Sequence, residues 1–139
     1  SACATKKVST GQMQGDVYTG TDTVEYLASG VPDRVFFATN ESVLTTASRE
    51  TLRKQAAYLR KNSKMTIVLE GHADERGTRE YNLALGDKRA FAVYSYLAQA
   101  GVDTNRMDYV SWGKERPEVI GSDETAYSQN RRGVTIVTN

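Results

Sequence analysis

Residues 65–97 constrain the fold more than any other part of the chain. Met65-Thr66-Ile67-Val68-Leu69-Glu70-Gly71 is an apolar, β-branched run of the length and composition that suit a buried central strand. A polar segment follows from Ala73 to Arg79. Leu83, Gly86, Ala90, Val93 and Leu97 then recur at intervals of three or four, the stripe of an amphipathic helix that ends near Gly101. A strand followed by a helix whose stripe must cover a sheet is the repeating unit of an α/β architecture.

The rest of the chain supplies matching pieces. After Pro32-Asp33, the run Arg34-Val35-Phe36-Phe37-Ala38 predicts a first strand. Thr46 predicts the cap of a helix reaching about Lys61, with Leu52, Ala56 and Leu59 on one face and Asn62-Ser63 as its stop. Residues 108–113 and 133–137 read as third and fourth strands, with a short helix over 125–132 between them. The order βαβαβ(α)β predicts an α/β (α+β) two-layer sandwich with a mixed four-stranded sheet over residues 31–139. Residues 4–30 are mainly Thr, Gly, Ser, Asp and Lys, and the isolated Val17, Tyr18, Val24, Tyr26 and Leu27 keep no period. Residues 1–30 therefore read as a flexible linker or loosely docked arm.

Eighteen basic and seventeen acidic residues leave a formal charge of +1, without the basic excess of a nucleic-acid binder. No apolar run approaches the ~20 residues needed to cross a bilayer. Cys3 is the only cysteine, so neither an intrachain disulfide nor a cysteine zinc cluster is expected. Its setting, Ser1-Ala2-Cys3-Ala4, resembles the last positions of a bacterial lipobox, although the leucine expected upstream is not in the chain. Without a complete signal peptide, the sequence reads as a mature form lipidated at Cys3. The alternative is an idle exposed thiol. Each buried acyl methylene contributes about 0.8 kcal/mol, so stable anchoring needs more than one chain.

The stretch Glu70 to Ala90 places the only histidine beside acids and arginines. His72 as a base oriented by Asp74 would need a nucleophile, and no Gly-x-Ser-x-Gly elbow or second histidine supplies one, so the chain reads as a non-enzyme. His72, Asp74 and Glu75 make a sparse metal set crowded on one loop, and neither a metal nor a cofactor is expected. Gly77 could form a phosphate nest, but Glu75 and Glu80 flank it and would repel the anion. A charged-ligand pocket uses these residues more economically. Asp74 can accept from an ammonium, while Arg89 can hold a carboxylate through two parallel N–H groups, a combination suited to a zwitterion. At about 1.5 to 3 kcal/mol per charge-assisted bond, a few such contacts reach micromolar affinity, about 8 kcal/mol. The bland alternative has Asp74 and Arg89 paired with each other or left in solvent.

Gly71-His72-Ala73-Asp74-Glu75-Arg76-Gly77-Thr78-Arg79-Glu80-Tyr81-Asn82-Leu83-Ala84-Leu85-Gly86, with Lys88-Arg89-Ala90, resembles the OmpA-like C-terminal domain family, in its branch of peptidoglycan-binding lipoproteins. Tyr109 to Pro117 and Tyr127 to Arg132 are similar to segments of the same branch, and the resemblance extends from about Asp33 to Asn139. It implies non-covalent binding of peptidoglycan through meso-diaminopimelate of the stem peptide. Asp74 would take the family's ammonium-binding role and Arg89 its carboxylate-binding role. Asn82 and Leu85 would shape the pocket, and Phe37, Ala38 and Asn40 would meet the ligand from the loop after the first strand. That loop departs from the family's Phe-x-Phe-Asp, since Asn40 stands where an acid is usual. The resemblance further implies a lipid-anchored protein of the Gram-negative outer membrane, its domain facing the periplasm. TolB and other Tol proteins would be its partners in the Tol-Pal system, with a role in envelope integrity and cell division. A protein module serving chiefly the Tol components and a wall-peptide hydrolase are the alternatives. Arg76, Arg79, Arg131 and Arg132 are expected to be solvated or to pin loops, Trp112 and the tyrosines to be core or rim, and His72 to be structural with some pH sensitivity near the pocket.

Overall fold

The computed structural model describes residues 12–139, so the expected lipidation site Cys3 lies outside the described residues. Two short hairpins come first, β1 (Met13–Gln14) with β2 (Val17–Tyr18) and β3 (Tyr26–Ala28) with β4 (Val31–Pro32). There follow β5 (Arg34–Phe36), α1 (Thr46–Lys61), β6 (Ile67–His72), α2 (Arg79–Gln99), a 3-10 turn (Thr104–Arg106), β7 (Met107–Gly113), α3 (Glu124–Asn130) and β8 (Arg132–Val137). The four-stranded sheet runs β5-β8-β6-β7, with β8 antiparallel to both neighbours and β6 parallel to β7. The mixed four-stranded sheet and two-layer α/β arrangement expected from the sequence are both present.

Leu52, Ala56 and Leu59 of α1 and Val93 and Leu97 of α2 share one buried cluster with Val35, Ile67, Leu69 and Met107 of the sheet. Both long helices thus cover the same face. Thr45, one residue ahead of the expected cap, accepts from Ser48 N at 3.0 Å and starts α1. Thr78 does the same for α2, accepting from Tyr81 N at 3.0 Å, so this helix begins a turn before its apolar stripe. The backbones of β6 and α2 touch. A methyl on Gly71 would overlap Gly86 O, and one on Gly86 would stand 2.8 Å from Gly71 O. This contact sets how close the start of α2 comes to the end of β6.

The segment expected as a flexible linker departs from that reading from Gln12 onward. Val17 and Tyr18 are buried, and the Tyr18 ring meets Phe36 edge-on at 5.0 Å. Their apolar residues lacked a period because hairpin strands of two or three residues are too short to display one. Val17 and Tyr18 are buried by docking on Phe36 of β5 instead.

Candidate ligand-binding site

Asp74 lies just past the end of β6 and is 6% exposed. Its Oδ1 accepts from Arg76 N at 3.0 Å and Arg76 Nε at 3.1 Å, while Oδ2 accepts from Arg76 Nη2 at 2.9 Å and Arg131 Nη1 at 3.1 Å. Burial acts to raise its pKa, but the bonds from Arg76 and Arg131 outweigh it and hold the carboxyl below the ordinary aspartate value. Asp74 is therefore an anion at neutral pH.

Arg89, on α2, is 0% exposed. Its Nε donates to Glu41 O at 2.8 Å, Nη1 to His72 O at 2.9 Å and Nη2 to Ala38 O at 3.0 Å, and the guanidinium lies 5.2 Å from the centre of the Phe37 ring. Burial, with the nearby Arg131 charge, pulls its pKa down to about 10, which leaves it cationic at neutral pH. Three of its N–H groups are held by backbone carbonyls, so the guanidinium plane is fixed without any carboxylate partner. Among the described residues, Asp74 and Arg89 form no ion pair with each other: Asp74 is met by other arginines, Arg89 by the main chain.

Both line a cleft of about 200 Å³ together with Thr39, Asn40, Arg76, Gly77, Tyr81, Asn82 and Leu85. Five of the seven expected ligand residues, Asp74, Arg89, Asn40, Asn82 and Leu85, thus wall one space. Phe37 and Ala38 stand behind it, backing and gripping Arg89. Asn82 Nδ2 donates to Arg76 O at 2.8 Å and Thr78 O at 3.0 Å, closing the loop between β6 and α2. His72 is buried, with Nε2 3.0 Å from Glu70 Oε1; burial foremost, then Arg132 and Arg34, lower its pKa against the opposing pull of Glu70. The main-chain carbonyl of His72 holds Arg89, while its ring faces Glu70 and not the cleft. Among the described residues, no group of three or more His, Cys, Asp or Glu could hold a metal ion.

Of the two roles expected of Arg131, the structure shows the loop-pinning one and not the solvated one. Arg131 is 1% exposed, with Nε donating to Phe37 O at 3.0 Å, Nη1 to Asp74 and Nη2 to both Asp16 O and Glu124 Oε2. Arg132 is buried too, whereas Arg79 is solvated and loosely paired with Glu115 at 3.2 Å.

The OmpA family profile matches residues 36–131, more than half the chain. The chain belongs to the OmpA family. This OmpA-family chain is 50% identical over 107 residues to the peptidoglycan-associated lipoprotein of Brucella melitensis, covering 77% of the chain and 64% of that relative. It is 47% identical over 100 residues to the peptidoglycan-associated lipoprotein of Haemophilus influenzae, covering 72% of the chain and 65% of the relative. The chain therefore spans a little less than two thirds of these relatives' own length. The crystal structure of the peptidoglycan-associated lipoprotein from Burkholderia pseudomallei superposes with a TM-score of 0.74 at 40% identity, covering 76% of this chain and 90% of that one. The C-terminal domain of Helicobacter pylori MotB superposes with a TM-score of 0.72 at 19% identity, over 77% of this chain and 84% of that one, a likeness of fold alone.

Proposed function

We propose that this OmpA-family domain binds peptidoglycan non-covalently, through the meso-diaminopimelate residue of the stem peptide, and that it tethers the outer membrane to the wall without catalysing a reaction. The observation that carries the reading is the pair Asp74 and Arg89: opposite charges on one cleft, each held by other groups, so that neither neutralises the other. The free end of diaminopimelate carries an ammonium and a carboxylate, and the two residues offer one complement to each. The four acceptor positions of Asp74 are all met by arginine N–H groups. The incoming ammonium displaces a bond from Arg76, whose side chain is 44% exposed, sooner than one from Arg131, at 1%. The names of the relatives support the wall as target. In the same reading Cys3 carries the lipid, the domain faces the periplasm, and TolB and other Tol proteins are partners during outer-membrane constriction at division.

The test is isothermal titration of the unlipidated Cys3→Ser chain with a meso-diaminopimelate muropeptide and its lysine counterpart, which lacks the second carboxylate. Asp74→Ala and Arg89→Ala are titrated alongside after circular dichroism has verified their folds. Preference for diaminopimelate, lost in both folded variants, is the expected result. A wild type that binds neither muropeptide would overturn the reading.

A further inference from the structure

The loop that backs the cleft is held from outside the region matched by the family profile. Asp16, at the turn of the β1–β2 hairpin, accepts from Thr39 N through Oδ2 at 2.9 Å, and its own carbonyl accepts from Arg131 Nη2 at 2.5 Å. Thr39 lines the cleft, and its Oγ1 receives Arg76 Nη2 at 3.4 Å. One residue back, Ala38 O grips Arg89; one residue on, Asn40 has a φ of 61°. Asparagine tolerates that left-handed region better than most residues, and the bonds to Thr39 and Ala38 on its N-terminal side hold the turn in place. The hairpin is itself secured, because Val17 and Tyr18 bury against Phe36. Asp16 thus touches both sides of the site, the Thr39–Asn40 rim by its carboxylate and the Arg131–Asp74 pair by its carbonyl.

We propose that Asp16 is a positioning residue of the ligand site, and that the β1–β2 hairpin is part of the binding unit and not a spacer in front of it. The inference rests on the wall-binding reading above. Asp16 does not touch the ligand; it fixes the loop that presents Arg89 and the cleft rim, so that a ligand meets a finished pocket and spends no affinity on ordering one. Its carboxyl is kept ionised because the Thr39 bonds and the Arg131 charge prevail over burial, the largest single influence, which acts the other way.

The experiment compares the chain carrying Asp16 with Asp16→Ala and Asp16→Asn by titration with the meso-diaminopimelate muropeptide, alongside thermal melting and amide exchange at Thr39. The alanine variant is expected to bind about tenfold more weakly, the size of one lost charge-assisted bond, with its melting temperature nearly unchanged and the Thr39 amide deprotected. The asparagine variant keeps an acceptor for Thr39 N and is expected to recover most of the affinity and protection. An alanine variant that binds like wild type would overturn the inference while leaving the wall reading intact. An asparagine variant as weak as alanine, or a loss of affinity that only tracks a fall in melting temperature, would also overturn it. A wild type that binds no muropeptide overturns the wall reading and this inference together.

Discussion

Arg131 Nη1 lies 3.1 Å from Asp74 Oδ2, and the two residues, 57 positions apart in the chain, are both buried. Removing one member of a buried, hydrogen-bonded pair is strongly destabilising, and without Arg131 the Asp74 carboxylate would keep only its bonds from Arg76. Arg131→Met keeps much of the volume but strips donors from Asp74, Phe37 O, Asp16 O and Glu124. Urea unfolding is expected to show a loss of about 3 kcal/mol or more, and a loss below about 1 kcal/mol, the value of an exposed pair, would show that solvent compensates at the site.

Gly71 has no space for a methyl group, and the obstacle is Gly86 O, a backbone atom that no rotamer change can move. Gly71→Ala must push α2 away from β6. The expected cost is about 3 kcal/mol or more, the upper range for overpacking, together with weakened ligand binding, since the shift separates the ends that carry Asp74 and Arg89. Denaturation midpoints and a muropeptide titration measure the two effects. A variant of wild-type stability would mean that the contact relaxes at no cost.

His72 gives the pH dependence. Its folded pKa lies below the ordinary 6.5, chiefly through burial. Between 6.5 and that lower value the unfolded chain binds more protons than the folded one, so stability is full above pH 6.5 and declines as pH falls through the window. Glu70, held below its ordinary 4.5 chiefly by the His72 bond, has its midpoint below pH 5. Chemical denaturation from pH 7.5 to 5 is expected to show the decline in wild type and a flatter profile in His72→Gln. Parallel profiles would exclude His72 as its source.

Local patterns located the elements well where the local signal was strong. α1 ends at the expected Lys61 and starts one residue earlier than the expected cap allowed, and β6 falls within two residues of its reading, because each carries its own period or β-branched run. The position of β8 between β5 and β6 was not legible, since strand order depends on pairings across 60 or more residues and leaves no local trace. The same division holds at the site. Asp74 and Arg89 stood out because their chemistry is complementary and they flank a strand-to-helix turn. Arg131 did not, since its burial is created by the docking of β8 and the hairpin around it, and nothing in Asn130-Arg131-Arg132 distinguishes it from a surface basic pair. The hairpin over 13–18 was hidden for a related reason: its two apolar anchors acquire meaning only against Phe36.

The meeting of Gly71 and Gly86 also sets a rule of arithmetic for the chain. Strand and helix are joined main chain to main chain at these two points, so the stretch between them is a closed span whose residue count is as much a part of the site as any side chain. An insertion in its helical part, between Arg79 and Gly86, would rotate the rest of the helix by about 100° per added residue and carry Arg89 off the face that looks at Asp74. The fifteen steps from Gly71 to Gly86 are therefore a fixed length and not a free loop.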